Sequence, residues 1–263
     1  MTLPATERLL EIMRTLRDPS QGCPWDRRQD FASIVPHTLE EAYELAEAIE
    51  TGNVEDLRAE LGDLLFQIVF YSQLGNERGW FDFEAVAKTM CAKLERRPPH
   101  VFSGSAATTV AEASNQWERI KVDERGGKSG VLQGVALNLP ALSRAQKLQK
   151  RAASVGFDWD DPAPVSAKVI EELAEFHAEL EHAEPDPGRL EEELGDLLFA
   201  CVNLARHAGV DAETAARRAN RKFESRFAYI EQQLVERGKT AADSSLEEMD
   251  ALWDEAKGEV DRE

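Results

Sequence analysis

The sequence predicts an all-α protein made of two copies of one helical unit. Apolar residues recur at helical spacing along most of the 263 residues. Gly, Pro and capping residues break that pattern into segments of helical length. Four segments also recur in the same order: EEAYE at 40–44 as EELAE at 171–175, ELGDLLF at 60–66 as ELGDLLF at 193–199, KLERR at 93–97 as KFESR at 222–226, and WERIK at 117–121 as WDEAK at 253–257. Their offsets of 131, 133, 129 and 136 residues drift so little that short loop insertions account for them. Two copies give a duplicated domain and not a solenoid, which needs an extended array.

Residues 5–17 form a short amphipathic helix, and DPSQGCPWD at 18–26 is a loop because it combines Pro19, Gly22 and Pro24. Thr38 and Glu41 have capping-box spacing, which predicts a helix over 38–51 that Gly52 ends. Asn53 caps a second helix reaching about residue 74, with Leu57, Leu61, Leu64, Leu65, Ile68 and Val69 as its apolar face. Only a Gly-Asn turn separates the two, so they form an antiparallel hairpin. Asp82 starts a helix to Arg97 that Pro98-Pro99 stops. A loop and a short helix near 111–121 follow.

The glycine-rich stretch at 126–139 reads as a linker between a first unit at 1–125 and a second at 140–263. In the second unit, helices are expected at about 140–154, 165–182, 189–207, 212–236 and 246–258. Pro185 and Pro187 mark its hairpin turn, and Ser245 with Glu248 supplies another capping box.

Residues 1–125 carry 14 basic and 22 acidic residues and residues 126–263 carry 17 and 28, so neither half offers a basic surface for a phosphate backbone. Direct nucleic-acid binding is therefore not expected. The longest apolar runs are too short to span a bilayer, and the first residues do not read as a signal peptide. Cys23, Cys91 and Cys201 match no metal-ligand or disulfide spacing and read as thiols of a reducing, cytoplasmic compartment, with Cys91 and Cys201 facing helix contacts.

The acidic residues carry the chemistry. Glu41 and Glu44 share a helix face, as do Glu60 and Asp63 on the next helix; Glu172 with Glu175 and Glu193 with Asp196 repeat the arrangement. An antiparallel hairpin brings each pair opposite the other, so four acids border one gap. Any one of these residues alone reads as a solvated helix face; their repetition beside the same apolar ELGDLLF makes a site the better reading. An empty gap of this kind is unfavourable, and a divalent cation relieves it. All-oxygen donors without nearby cysteine or paired histidine favour Mg²⁺, with Mn²⁺ acceptable, over structural zinc. Gly62 and Gly195, each just before an aspartate, predict close approach by a neighbouring helix or by substrate.

Glu40, Glu171 and Glu192 extend the acidic patches, whereas Ala59 stands where the second half has Glu192. Lys93 with Arg97, and Lys222 with Arg226, lie one helical turn apart and suit phosphate oxygens. Lys121 and Lys257 add charge, Trp117 and Trp253 offer surfaces for a base or for a helix core, and Lys168 and Arg189 are cations peculiar to the second half. His177 follows Glu175 by two and His207 lies eleven residues after Asp196, so neither completes one of the two Glu-x-x-His sets that a di-iron bundle uses.

These residues carry a resemblance. EExxE followed after fifteen to seventeen residues by ExxD is similar to the signature of the all-alpha nucleoside triphosphate pyrophosphohydrolases. With CPWD at 23–26, KLERR followed by PHVF, RAQKLQKRAASVGFDW at 144–159 and GDLLFACVNLARH at 195–207, the chain resembles the two-domain bacterial MazG family from about residue 7 to 260. The resemblance implies duplicated MazG-like helical-bundle domains, Mg²⁺-dependent hydrolysis of nucleoside triphosphates such as ATP to monophosphate and pyrophosphate, and at least a homodimer.

Residue by residue, the resemblance puts metal ligands at Glu172, Glu175, Glu193 and Asp196. Glu171 joins them as a catalytic candidate, and Lys168, Arg189, Lys222, Arg226, Trp253 and Lys257 fall on the substrate side. A second candidate site comprises Glu40, Glu41, Glu44, Glu60, Asp63, Lys93, Arg97, Trp117 and Lys121. The second-half site is expected to be the principal one. A noncatalytic nucleotide sensor or protein-interaction module is the alternative.

Overall fold

A computed structural model of the chain describes residues 4–97, 101, 109, 120 and 130–259. Trp117, Lys121 and the first residues of the expected linker lie outside them. The chain divides into two compact units, Met1–Gly126 and Gly127–Glu263, and the described residues are helices, turns and loops with no strand.

The first unit contains α1 (Ala5–Leu16), α2 (Phe31–Thr51), α3 (Val54–Glu77) and α4 (Phe83–Arg96). The α2–α3 hairpin dominates it, with α1 and α4 packed on α3. Gly52, at φ 73°, ends α2 in the left-handed conformation, and the Asn53 side chain accepts the N–H groups of Glu55 and Asp56 to start α3. Met13, Ile34, Val69, Phe70 and Leu74 form the core. Full burial of a side chain such as Phe70 contributes about 1.5–3 kcal/mol.

Helix α2 begins seven residues before its expected start. Asp30 accepts the N–H groups of Ala32 and Ser33 while Ser33 Oγ returns to the Asp30 N–H, so the capping box is Asp30 with Ser33. Thr38 is inside the helix, its hydroxyl bonded to the Ile34 carbonyl at 3.1 Å and to Tyr71 at 2.9 Å. Pro36 is accommodated in the second turn at the loss of one backbone hydrogen bond.

The expected apolar face of α3 is only partly core. Val69 is buried, but Leu61, Leu65 and Ile68 are exposed because α1, α2 and α4 leave that stripe uncovered.

The CPWD loop is pinned by Arg17, which holds Glu77 through two bonds of 2.7 and 2.6 Å, reaches the carbonyls of Asp26 and Gln29, and lies over the Phe70 ring. Gly22 is required there. A Cβ would stand 2.4 Å from the Leu16 carbonyl oxygen and 2.6 Å from that of Asp18.

The second unit contains α5 (Ala141–Ala153), α6 (Pro162–Leu180), α7 (Pro187–His207), α8 (Ala212–Glu236) and α9 (Leu246–Glu259). The α6–α7 hairpin repeats α2–α3, α5 packs on α7 and α8, and α9 packs on α8. Asp161 and Asp186 cap α6 and α7, each followed by a proline at the first helical position, where no N–H is needed. Both helices therefore start earlier than the apolar pattern alone predicts. Ser245 accepts the Glu248 N–H at 3.2 Å, while the Glu248 carboxylate turns to Lys239 at 2.8 Å instead of closing the box.

Ile230, Leu234 and Leu252 centre the α8–α9 core. Cys91 and Cys201, expected against helix contacts, are both exposed free thiols.

Candidate functional site

Each hairpin gathers carboxylates from its two helices. Among the described residues, Glu41, Glu60 and Asp63 bring one oxygen each within 4.8 Å of the others, and so do Glu172, Glu175 and Glu193. The cause is local: acids three apart share a helix face, and a tight antiparallel turn sets the two faces opposite each other.

Three of four expected ligands meet in each unit, but not the same three. Glu44 stays outside the first group and Asp196 outside the second, and both are exposed. Carboxylate oxygens are the donors that a hard divalent ion takes, and each group offers three of them.

The two groups differ in burial and in cations. Glu172 and Glu193 are 6% and 9% exposed, whereas Glu41 and Glu60 are only half-buried. Lys168 Nζ lies 2.8 Å from Glu171 and 2.7 Å from Glu172. Arg189 reaches Glu192 and Glu193 at 3.2 Å each and crosses the hairpin to Glu179 at 3.3 Å. Applying the repeat offsets of 131 and 133, the corresponding first-unit residues are His37 and Asp56. His37 approaches Glu40 at 3.6 Å, and Glu41 receives only a long 3.4 Å hydrogen bond from the Gln67 amide.

These differences appear in the acidities. Burial, then the charges of Asp63 and Glu44, push the Glu41 carboxyl above its usual range. Burial, then Glu44, Asp63 and Glu41, do the same to Glu60. Burial followed by the Glu172 charge raises Glu175, with Lys168 opposing. Lys168 is itself held protonated more firmly by its bonds to Glu171 and Glu172.

The remaining substrate-side candidates sit on α8 and α9. Arg226 is buried with its guanidinium 5.3 Å from the Trp253 ring centroid. Trp253 packs on the Ile230–Leu234–Leu252 core and on Phe223, so of its two expected uses the structure shows the packing one. Lys222 is exposed on α8, and Lys257 pairs with Asp254 at 2.6 Å. In the first unit Lys93 is half-buried near the end of α4, and Arg97 caps that helix.

Gly62 and Gly195 have open space where a Cβ would point, so among the described residues no helix approaches either one. That part of the glycine expectation is not met within the chain.

Two features escaped the sequence reading. Gln67, buried four residues after Asp63 on the same helix face, was legible only as a polar residue in an apolar stripe. Asp158 in the GFDW segment binds Arg206 at 2.9 and 2.5 Å and His207 at 3.0 Å, fastening the loop before α6 to the end of α7.

The family model described as the MazG nucleotide pyrophosphohydrolase domain matches twice, at residues 29–102 and 162–229, once over each hairpin. The chain is 51% identical over 253 residues to the nucleoside triphosphate pyrophosphohydrolase of Escherichia coli K12, covering 95% of this chain and 96% of that protein. It is 46% identical over 253 residues to the nucleoside triphosphate pyrophosphohydrolase/pyrophosphatase MazG of Thermotoga maritima, covering 96% of this chain and 95% of that one. It is 44% identical over 247 residues to the uncharacterized protein YabN of Bacillus subtilis, covering 94% of this chain and 50% of that longer protein. With both hairpins matched and near-complete coverage of two of these relatives, the chain belongs to the MazG nucleotide pyrophosphohydrolase family.

Proposed function

We propose that the protein hydrolyses nucleoside triphosphates across the α–β phosphate bridge, giving monophosphate and pyrophosphate, with its principal site on the α6–α7 hairpin. Its near full-length similarity to proteins named for this activity supports the reaction class. One structural observation carries the choice of site: Glu172, Glu175 and Glu193 converge beside Lys168 and Arg189, so acids for a metal and cations for phosphate stand together.

Glu172, Glu175 and Glu193 would hold Mg²⁺ or Mn²⁺, and Asp196, one turn beyond Glu193 and outside that group, is the fourth ligand that the family resemblance adds. Bound there, the ion supplies charge neutralisation of the triphosphate and a more acidic water. Glu171, or whichever oxygen of Glu172 is free, would orient the attacking water and accept its proton. Lys168, Arg189 and Lys222 bind phosphate oxygens, while Arg226 positions Trp253 from beneath. Lys257 is a further cation toward the substrate. The α2–α3 hairpin, with Glu40, Glu41, Glu44, Glu60 and Asp63, retains acids but has Ala59, His37 and Asp56 where the second unit has Glu192, Lys168 and Arg189; it is a second, specialised or regulatory site.

The working form is a homodimer. Leu61, Leu65 and Ile68 on α3, and Leu194, Leu198 and Phe199 on α7, are exposed apolar residues that give each hairpin a face of its own for a second copy to cover. No helix among the described residues is long and apolar enough to cross a membrane, and the free thiols suit the reducing cytoplasm.

Product analysis by ³¹P NMR on a panel of triphosphates with Mg²⁺ tests the reaction. Equimolar monophosphate and pyrophosphate are expected. Diphosphate with orthophosphate, or tight nucleotide binding without turnover, contradicts it, the latter favouring a sensor.

A further inference from the structure

Glu172 and Glu193 are the two buried acids of the second group, and each is already engaged by a cation from its own helix, four residues earlier. Lys168 holds Glu172 at 2.7 Å and Arg189 holds Glu193 at 3.2 Å, although both cations are exposed, at 40% and 51% of their side-chain surface. A carboxylate oxygen that serves an ammonium or guanidinium group cannot give the same lone pair to a metal. Each cation is open to water and so loses little on leaving, while the buried carboxylate it uncovers is compensated by the incoming ion. Lysine and arginine are also the side chains suited to the phosphate oxygens that would arrive with the metal. The first unit has His37 and Asp56 at these positions and lacks the device.

We propose that Lys168 and Arg189 are exchange cations: they occupy Glu172 and Glu193 in the ligand-free protein, yield those carboxylates to a divalent ion, and pass to the triphosphate. The proposal rests on the pyrophosphohydrolase reading of this hairpin. Its consequence is coupling. A divalent ion alone must displace Lys168 from Glu172 and Arg189 from Glu193, leaving them the exposed Glu171 and Glu192 and the partly covered Glu179, whereas an ion with a triphosphate supplies a new partner in the phosphates, so each ligand strengthens binding of the other. The second hairpin then takes up metal and nucleotide together and disfavours metal alone.

The test measures Mn²⁺ binding by electron paramagnetic resonance, with and without an α,β-methylene triphosphate, in full-length protein carrying Glu41→Gln and Glu60→Gln so that the signal reports the second hairpin. Lys168→Met and Arg189→Met are compared with Lys168→Arg, and circular dichroism checks the fold of each. The expected result is a reversal of sign: each methionine variant binds Mn²⁺ alone several-fold tighter and the triphosphate about tenfold more weakly, while Lys168→Arg keeps the parent behaviour. Equal weakening of both ligands, or no change in either, overturns the exchange and leaves the cations as ordinary binding groups.

Pyrophosphate release by the unmodified protein is measured in parallel to separate the two ideas. Release together with parallel losses in the variants overturns the exchange alone. Absence of release with the sign reversal intact overturns the catalytic reading and leaves the exchange standing. Absence of Mn²⁺ binding at the second hairpin, even with nucleotide, overturns the exchange and its assignment to this site.

Discussion

Glu172 on α6 and Glu193 on α7 place carboxylate oxygens within 4.8 Å of each other although both side chains are buried. Like charges so placed oppose folding, and a divalent ion reverses the sign of that contribution. Mg²⁺ at about a hundredfold excess over its dissociation constant for an acidic group should therefore stabilise the unit that holds that group by about 2.7 kcal/mol. Calorimetry should find this gain abolished when Glu60→Gln and Glu193→Gln are combined, one substitution in each acidic group. A gain unchanged in that double variant would place the ion elsewhere.

Acid stability depends on a different pair. The Arg206 guanidinium, followed by His207, lowers the Asp158 carboxyl from its ordinary 3.8 to about 2. A carboxyl lowered on folding adds stability that is fully present above its ordinary value and is lost as pH falls from there through about 2. A partly exposed pair of this kind is worth about 1 kcal/mol. Asp158→Asn should remove that amount at pH 7 and flatten the acid limb of the stability curve between pH 4 and 2, as followed by urea unfolding at several pH values. An equally steep limb in the variant would show that Asp158 does not contribute to it.

Two glycines should respond in opposite directions. At Gly22 a methyl group meets backbone atoms of Leu16 and Asp18 at 2.4–2.7 Å, so Gly22→Ala must open the CPWD loop, at a cost of about 1–3 kcal/mol. At Gly195 the space is open and the residue is inside a helix, so Gly195→Ala should stabilise the chain by about 1 kcal/mol. Thermal unfolding of both variants checks the pair. Destabilisation by Gly195→Ala would mean that something outside the described chain packs against α7 at that point, as a second copy would.

The hairpins were legible because Gly52-Asn53 and the Pro185–Pro187 turn interrupt unmistakable helical spacing, and because the same acids recur beside the same ELGDLLF. The start of α2 was not. Thr38 and Glu41 have the spacing of a capping box, yet the Asp30–Ser33 box eight residues earlier is the one that forms, and the helix runs through Pro36. Packing of Ile34 into the core favours the earlier start.

Spacing placed four acids on each hairpin but not which three converge, because that depends on side-chain direction and on neighbours. Asp196 and Glu44 remain in solvent, while Lys168 and Arg189, four residues before Glu172 and Glu193, bind them along the helix. The Asp158–Arg206 pair is 48 residues apart in sequence, and no local pattern announces it.

The claim on which the rest depends is that chemistry runs at the α6–α7 hairpin. Its most direct test is pyrophosphate release from a triphosphate with Mg²⁺, compared among the unmodified protein, Glu172→Gln and Glu41→Gln. Glu172→Gln should lower turnover on the order of 100-fold or more, and Glu41→Gln should lower it far less. Equal losses in the two variants, or a larger loss in Glu41→Gln, would contradict the assignment.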